Sequence, residues 1–260
     1  MGLITKFHIP WRLGAWAVIL AGMMKPLLRL LHLAPYGADE LFLALVTCGA
    51  TAVALGLLWR PLALLPLLPL AVVIWFFRDP ERNIPQAAEL LLAPADGRVT
   101  DVQEVEEAEF IGGRALRIGI FLSPLNVHVN RAPCEGIVRL VRGKAGEFLP
   151  AYDRRAPERN ESVVLGLECV GGVRLVVKQI SGMLARRIVC EAEPGQVLGR
   201  GERYGMIKFG SRTELYVPLS LGPEPLVVPG DRVQGGVSPC VRVDLRLQVE
   251  PLTTKLIADV

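Results

Sequence analysis

Residues 162–180 read SVVLGLECVGGVRLVVKQI, two short apolar stretches rich in Val and Leu with a glycine pair between them. Short runs of this composition, bounded by Gly or Pro, are strand signals. The pattern recurs on either side in RVTDVQEV (98–105), ALRIGIFL (115–122), GIVRLVRG (136–143), RIVCEAE (187–193), TELYVPL (213–219) and VRVDLRLQVE (241–250). Repetition at roughly ten-residue spacing, with turn signals between, predicts a mainly β, barrel-like domain over 90–260. Past residue 85 no amphipathic helix longer than about ten residues is evident.

Two echoes run through this region. APADGRV (93–99) and APCEGIV (132–138) share A-P-x-acid-G-x-V, and PGQVLGRG (194–201) and PGDRVQGG (229–236) resemble each other in the same way. The acid-Gly pair after Pro suits a tight turn, and Val starts the next strand. Repeated turn–strand units of this kind predict internal pseudo-symmetry.

The front of the chain has a different character. Residues 41–59, LFLALVTCGATAVALGLLW, are uncharged; Arg60 interrupts, and 61–77, PLALLPLLPLAVVIWFF, are uncharged again. A spanning helix needs about 20 apolar residues, so the first run is long enough and the second, with Pro66 and Pro69, is marginal. Together they predict a transmembrane helical hairpin within an N-terminal anchor, 1–77, followed by a linker, 78–89. Lys6, Arg12, Lys25 and Arg29 precede the hairpin and Arg78 and Arg82 follow it, which places both ends in the cytoplasm. Lys25, Arg29 and His32 recur at helical spacing among leucines, as in a helix lying on the bilayer surface.

Of the formal charge of +3, residues 1–77 carry all, with five Lys or Arg against two Asp or Glu. The remainder is balanced, without the clustered basic face that a nucleic-acid partner requires. The five cysteines, at 48, 134, 169, 190 and 240, form no C-x-x-C pair. They read as separate thiols, with neither a metal site nor a disulfide framework.

Few residues suit chemistry. His128 is the one histidine beyond the membrane-proximal region, and Asn126, His128 and Asn130 share a strand face at period two. That face is too polar for a dry core and points to a cleft, with Arg131 beside it. Asp96 lies in the PADG turn, where it serves either as a turn residue or, if the fold brings it to His128, as the group that orients the ring. Ser211 follows Gly210, and a serine attacking the preceding carbonyl is least obstructed when that residue has no Cβ.

The chain resembles the phosphatidylserine decarboxylase family, in its short membrane-anchored form. The resemblance rests on WFFRDPERNIP (75–85), APADGRV (93–99), IFLSPLNVHVNRAP (120–133), GEF (146–148), ISGMLARRIVC (180–190) and GERYGMIKFGSR (201–212), which occur in the family's order. Arg212 follows the serine as in the short type, where the long type has Thr. Asn160-Glu161-Ser162 stands where the family usually has N-E-R, so that arginine is missing.

The resemblance implies a proenzyme that cuts itself between Gly210 and Ser211 into a β chain, 1–210, and an α chain, 211–260, which remain together as a heterodimer, alone or within a higher oligomer. It implies Ser211 as nucleophile and His128 as its base, with Asp96 holding the ring. It also implies a covalent pyruvoyl cofactor formed from Ser211 that condenses with substrate as a Schiff base. The substrate would be phosphatidylserine, the product phosphatidylethanolamine, and the place the cytoplasmic face of the inner membrane, in contact with membrane lipid. Arg78, Arg82, Arg131 and Arg187 are candidates for its phosphate or carboxylate, with Asn126 and Asn130 beside them. No metal is implied. The family's barrel is a duplicated biotinyl/lipoyl-like hybrid, in keeping with the echoes. Two other readings are an ether-linked serine lipid as substrate and a membrane-anchored carrier of the biotinyl/lipoyl type. The carrier requires a modifiable lysine flanked by Met, whereas Lys208 lies in I-K-F.

Overall fold

The computed structural model describes residues 15–150, 153, 155–183, 187–208 and 210–244, and the chain divides into two units, Met1–Pro80 and Glu81–Val260. Lys6, Arg12 and residues 245–250 of the strand expected at 241–250 lie outside the described residues.

In the first unit, helix α1 (Ala15–Leu30) leads through a 3-10 turn at Pro35–Gly37 into α2 (Ala38–Leu58). Pro35–Leu58 has a mean hydropathy of 2.3 and is almost wholly unburied, so by length and composition it can cross a membrane. The second apolar run behaves differently. It forms a 3-10 segment, Arg60–Leu64, and then α3, Leu67–Phe76, of ten residues. Ten residues rise about 15 Å, half of a bilayer's hydrocarbon core. Pro61 and Pro66 precede α3 and Pro69 stands in its first turn, where a missing N–H costs least. Among the described residues α2 alone has a spanning length. Leu33 and Arg78 form an isolated antiparallel bridge, and Arg78 stacks on Trp75 with its guanidinium carbon 3.9 Å from the ring centroid.

The second unit is built of strands: β1 (Leu90–Leu92), β2 (Gly97–Glu107), β3 (Gly113–Leu122), β4 (Val129–Arg131), β5 (Gly136–Lys144), β6 (Ser162–Cys169), β7 (Arg174–Ile180), β8 (Ile188–Cys190), β9 (Val197–Leu198), β10 (Arg203–Ile207), β11 (Ser211–Pro218), β12 (Glu224–Pro225), β13 (Arg232–Val233) and β14 (Pro239–Arg242). Its one α-helix among the described residues, α4, is Ala156–Arg159. Eight strands form a curled half-barrel sheet in the order β13-β2-β3-β11-β7-β6-β5-β9, while β1-β14-β12 and β4-β10-β8 form two small sheets. The fold is mainly β, as the strand spacing predicts.

Alternation decides what the curled sheet encloses. Ile118, Ile120 and Leu122 of β3, Leu165 and Leu167 of β6, Leu175 and Val177 of β7, and Leu215 and Val217 of β11 are all buried in one core cluster. Each such side chain stabilises the fold by about 1.5–3 kcal/mol on burial. β11 lies centrally, paired antiparallel with β3 from Ser211↔Leu122 to Pro218↔Ala115 and with β7 from Arg212↔Ile180 to Tyr216↔Val176.

The echoed segments make equivalent bonds. Val99 donates to the Asp231 carbonyl and accepts from Gly230; Val138 donates to Gln196 and accepts from Gly195. Gly236 donates to Ala93 as Gly201 does to Ala132, and Leu92 donates to Pro133 as Arg131 does to Pro94. One thiol reading changes. The Gly136↔Cys169 pairing of β5 with β6 brings Cys134 to Cys169, and the two are joined as a disulfide; Cys48, Cys190 and Cys240 are free.

Candidate active site

Inward-facing positions turn from apolar to polar at one end of the central strands. Along β11, Val217 and Leu215 give way to Thr213 and Ser211; along β7, Leu175 and Val177 give way to Gln179, and Ser181 follows. All four polar residues are fully buried. Ser211 opens β11 directly after Gly210, whose φ is +61°, in the left-handed region that costs a residue with a Cβ about 1–2 kcal/mol. Ser211 Oγ makes no hydrogen bond among the described residues. A buried hydroxyl of that kind needs explaining, and a catalytic role is one explanation.

A hydrogen-bonded chain ties this end to the histidine strand. Gln179 Nε2 donates to Asn130 Oδ1 at 2.8 Å, and Asn130 Nδ2 donates to Thr213 Oγ1 at 3.1 Å and to the Pro94 carbonyl at 3.5 Å. His128 stands just before β4 and is fully buried, while Asn126 lies in the turn ahead of it, so Asn126, His128 and Asn130 do not line one strand face as the period-two spacing predicts. The His128 carbonyl accepts from Ile207 N–H, so the chain approaching Gly210 runs beside it. From the other side, Leu122 pairs with Ser211, and the next residue, Ser123, donates through N–H and Oγ to Asn126 Oδ1 at 2.9 and 2.8 Å. His128 Nδ1 lies 3.0 Å from the Asn126 carbonyl. A carbonyl only accepts, so Nδ1 carries a proton.

Asp96 is held elsewhere. Its carboxylate accepts from Arg82 Nη2 at 3.1 and 2.9 Å and from Gly235 N–H at 2.8 Å. It thereby fixes the PADG turn, whose Pro94 carbonyl receives both Arg131 N–H and Asn130 Nδ2. The Asn126 carbonyl lies against the His128 ring. The Asn126 side chain closes the 123–126 turn. Arg131 is buried, with Nη1 donating to the Gly201 carbonyl at 3.2 Å. Arg187 is half-buried, and its carbonyl accepts from the backbone of buried Lys208.

Several residues that the sequence reading passes over belong to this end. Asn160 is fully buried and clamps the GEF loop: Nδ2 donates to the Leu149 carbonyl at 2.8 Å and the Ser181 carbonyl at 2.7 Å, and Oδ1 accepts from Leu149 N–H. Gln179, Ser181 and Thr213 complete the inner wall. The signal for them is a polar break in an inward-facing apolar register.

Behind Ser211, on the sheet's other face, Arg212 is bound to Asp101 Oδ2 at 2.6 Å, Glu214 Oε1 at 2.8 Å and Thr100 Oγ1 at 2.7 Å. Tyr216 donates to Glu214 Oε2 at 2.6 Å, and Arg117 approaches both acids. Burial pushes the Asp101 carboxyl up, but Arg212, Thr100 and Arg117 outweigh it and hold its pKa below the ordinary 3.8. Burial and the Glu214 charge raise the pKa of the Tyr216 phenol, which stays a donor. This ionic ladder fixes the residue that follows the serine.

The fold and site define a mainly β protein with a buried, unbonded serine at the first position of its central strand. Residues 70–240 match the family model described as phosphatidylserine decarboxylase, and the chain belongs to that family. It is 51% identical over 164 residues to a protein of Symbiobacterium thermophilum named phosphatidylserine decarboxylase proenzyme, covering 63% of this chain and 75% of that one. Proteins of the same name from Rhodopirellula baltica and Carboxydothermus hydrogenoformans are 43% identical over 202 residues and 44% identical over 204. Those matches cover 77% and 78% of this chain and 83% and 95% of theirs.

Proposed function

We propose that the chain is made as a precursor, cuts itself between Gly210 and Ser211, and decarboxylates phosphatidylserine to phosphatidylethanolamine with a pyruvoyl group formed at residue 211. The observation that carries this reading is Ser211 itself, fully buried, with an unbonded hydroxyl behind a left-handed glycine. The family membership and the relatives' printed name support it.

In scission, Ser211 Oγ adds to the Gly210 carbonyl carbon while His128 Nε2 takes the hydroxyl proton. The Gly210–Ser211 C–N bond then breaks and leaves an ester. β-Elimination releases 1–210 with a carboxylate at Gly210, and hydrolysis of the remaining enamine releases ammonia. The Asn126 carbonyl holds the ring in the tautomer this requires. Asp96 acts by positioning, through Arg82 and Gly235, the turn on which Asn130 and Arg131 rest. Because the cut falls at the first residue of β11, the ladders to β3 and β7 survive it and hold the α chain, 211–260, to the β chain.

The buried polar wall of Thr213, Gln179 and Ser181 fits a carbonyl group at residue 211, since it offers polar atoms without charge. That group supplies an electrophile that draws off the electrons left by the departing carboxylate. In this reading His128 returns a proton to the substrate carbon.

The N-terminal segment, 1–77, anchors the enzyme at the cytoplasmic face of the membrane through α2, with a hairpin completed by residues 61–77 and a linker at 78–89. The equivalent bonds of the two echoes support a duplicated, biotinyl/lipoyl-like domain over 90–260.

Intact mass spectrometry tests the reading. Purified protein gives fragments 1–210 and 211–260, the second lacking the serine amine, and Ser211→Ala gives one intact chain. An uncut wild-type protein with full decarboxylase activity overturns it.

A further inference from the structure

Beside the unbonded Ser211 Oγ, two more buried polar atoms on the inner wall lack a hydrogen-bond partner among the described residues: Gln179 Oε1 and Ser181 Oγ. Both side chains are fully buried. Gln179 Nε2 is committed to Asn130 Oδ1 at 2.8 Å and lies 3.4 Å from the Val189 carbonyl, which fixes the amide's orientation and leaves the acceptor end unserved. Ser181 is tied through its backbone alone, N–H to the Glu161 carbonyl and C=O to Asn160 Nδ2.

Their placement relative to residue 211 follows from register. Gln179 pairs with Thr213 and Ile180 with Arg212 across β7 and β11, so the next step sets Ser181 across from Ser211. Gln179 Oε1, which only accepts, and Ser181 Oγ, which accepts as well as donates, therefore border the position of the reacting group, and each costs stability while unpaired. A ligand that satisfies Gln179 Oε1 must bring a hydrogen-bond donor, and Ser181 Oγ can accept from the same group. In a serine headgroup the carboxylate and phosphodiester only accept, and the amine alone donates.

We propose that Gln179 Oε1 and Ser181 Oγ receive the amino group of the serine headgroup and hold it beside residue 211. This rests on the reading of the site as a phosphatidylserine decarboxylase and adds the residues that select the amine. Asn130 and Thr213 act one step back, by aiming the Gln179 amide.

Binding to uncut protein tests this without the reacting group. In a Ser211→Ala background, the affinity for short-chain phosphatidylserine is compared with that for its desamino analogue, a phosphatidyl-3-hydroxypropionate. Adding Ser181→Ala or Gln179→Met weakens phosphatidylserine binding about tenfold each, the worth of one buried hydrogen bond, and leaves the analogue unchanged. Ser181→Ala removes a hydroxyl with no bond to lose, so it keeps the fold and carries the test if Gln179→Met does not. Equal losses for both lipids, no loss for either, or no binding of phosphatidylserine overturns the proposal. A wild-type chain that never cuts overturns the self-processing reading instead, because the affinities are measured without scission.

Discussion

Asn130 Nδ2 donates to Thr213 Oγ1 at 3.1 Å across 83 residues of sequence. The bond joins β4, which follows His128, to β11, which begins at Ser211, although the two strands lie in different sheets. Asn130 also accepts from Gln179, so one amide ties together β4, β7 and β11. Asn130→Ala leaves Gln179 Nε2 and Thr213 without this partner inside the core. A loss of about 2–3 kcal/mol in unfolding free energy is expected, with scission at 210–211 slowed at temperatures where the fold persists. Chemical denaturation and a gel time course measure the two effects.

In the proposed scission, Gly210 sets the direction from which the serine meets the carbonyl. At φ +61° nothing lies within 4 Å of a Cβ built there, so space is not what requires glycine. The backbone conformation is. Gly210→Ala should fold normally and lose about 1–2 kcal/mol of the local preference, seen as scission roughly tenfold slower. Quenched time points analysed by mass spectrometry report the rate, and a rate equal to wild type removes the glycine from the mechanism.

Much of this arrangement is legible in the residues, for physical reasons that also mark the limit. Apolar runs between glycines and prolines become strands because side chains alternate faces, and the A-P-x-acid-G-x-V segments start β2 and β5 alike. Alternation does not say what covers a face. Glu214 alternates with Thr213 and Leu215 along β11, and nothing in that pattern marks it as fully buried beneath Arg117, Arg212 and Tyr216. Gln179 is hidden in VRLVVKQI because its meaning depends on Asn130, 49 residues away. Cys134 and Cys169 are joined by a register that spacing does not encode. The partners of Asp96, Arg82 and Gly235, come from opposite ends of the domain.

The ladder behind Ser211 makes acid stability a readout of Asp101. Its folded pKa lies below the ordinary 3.8. The folded state therefore binds fewer protons than the unfolded state in that window, and the stability is present above 3.8 and lost as pH falls through the folded value. Asp101→Asn should lower the melting temperature at neutral pH, by an amount reduced because the pair is partly exposed. The gap to wild type should close as pH falls below 3.8. Melting curves from pH 7 to 3 at constant ionic strength decide this; a gap that is the same at every pH assigns Asp101 a packing role only.

Gly205 carries a different constraint from Gly210, one of close approach. It sits in β10 between β4 and β8, paired with Asn130 on one side and Cys190 on the other. A Cβ there would overlap the Val189 carbonyl oxygen, a backbone atom that cannot swing aside, and would crowd Gln179 Nε2 at 3.2 Å. Gly205→Ala must therefore push β8 away from β10 or shift the Gln179 amide. Overpacking of this kind costs about 1–3 kcal/mol. Since Gln179 aims Asn130 and Ile207 of the same strand holds the His128 carbonyl, the displacement reaches Ser211 from both sides. The variant should melt lower and cut incompletely. Gly113→Ala, which meets nothing within 4 Å, should do neither. Equal melting temperatures for the two variants would show that β8 yields freely and that the inner wall is not fixed by this strand.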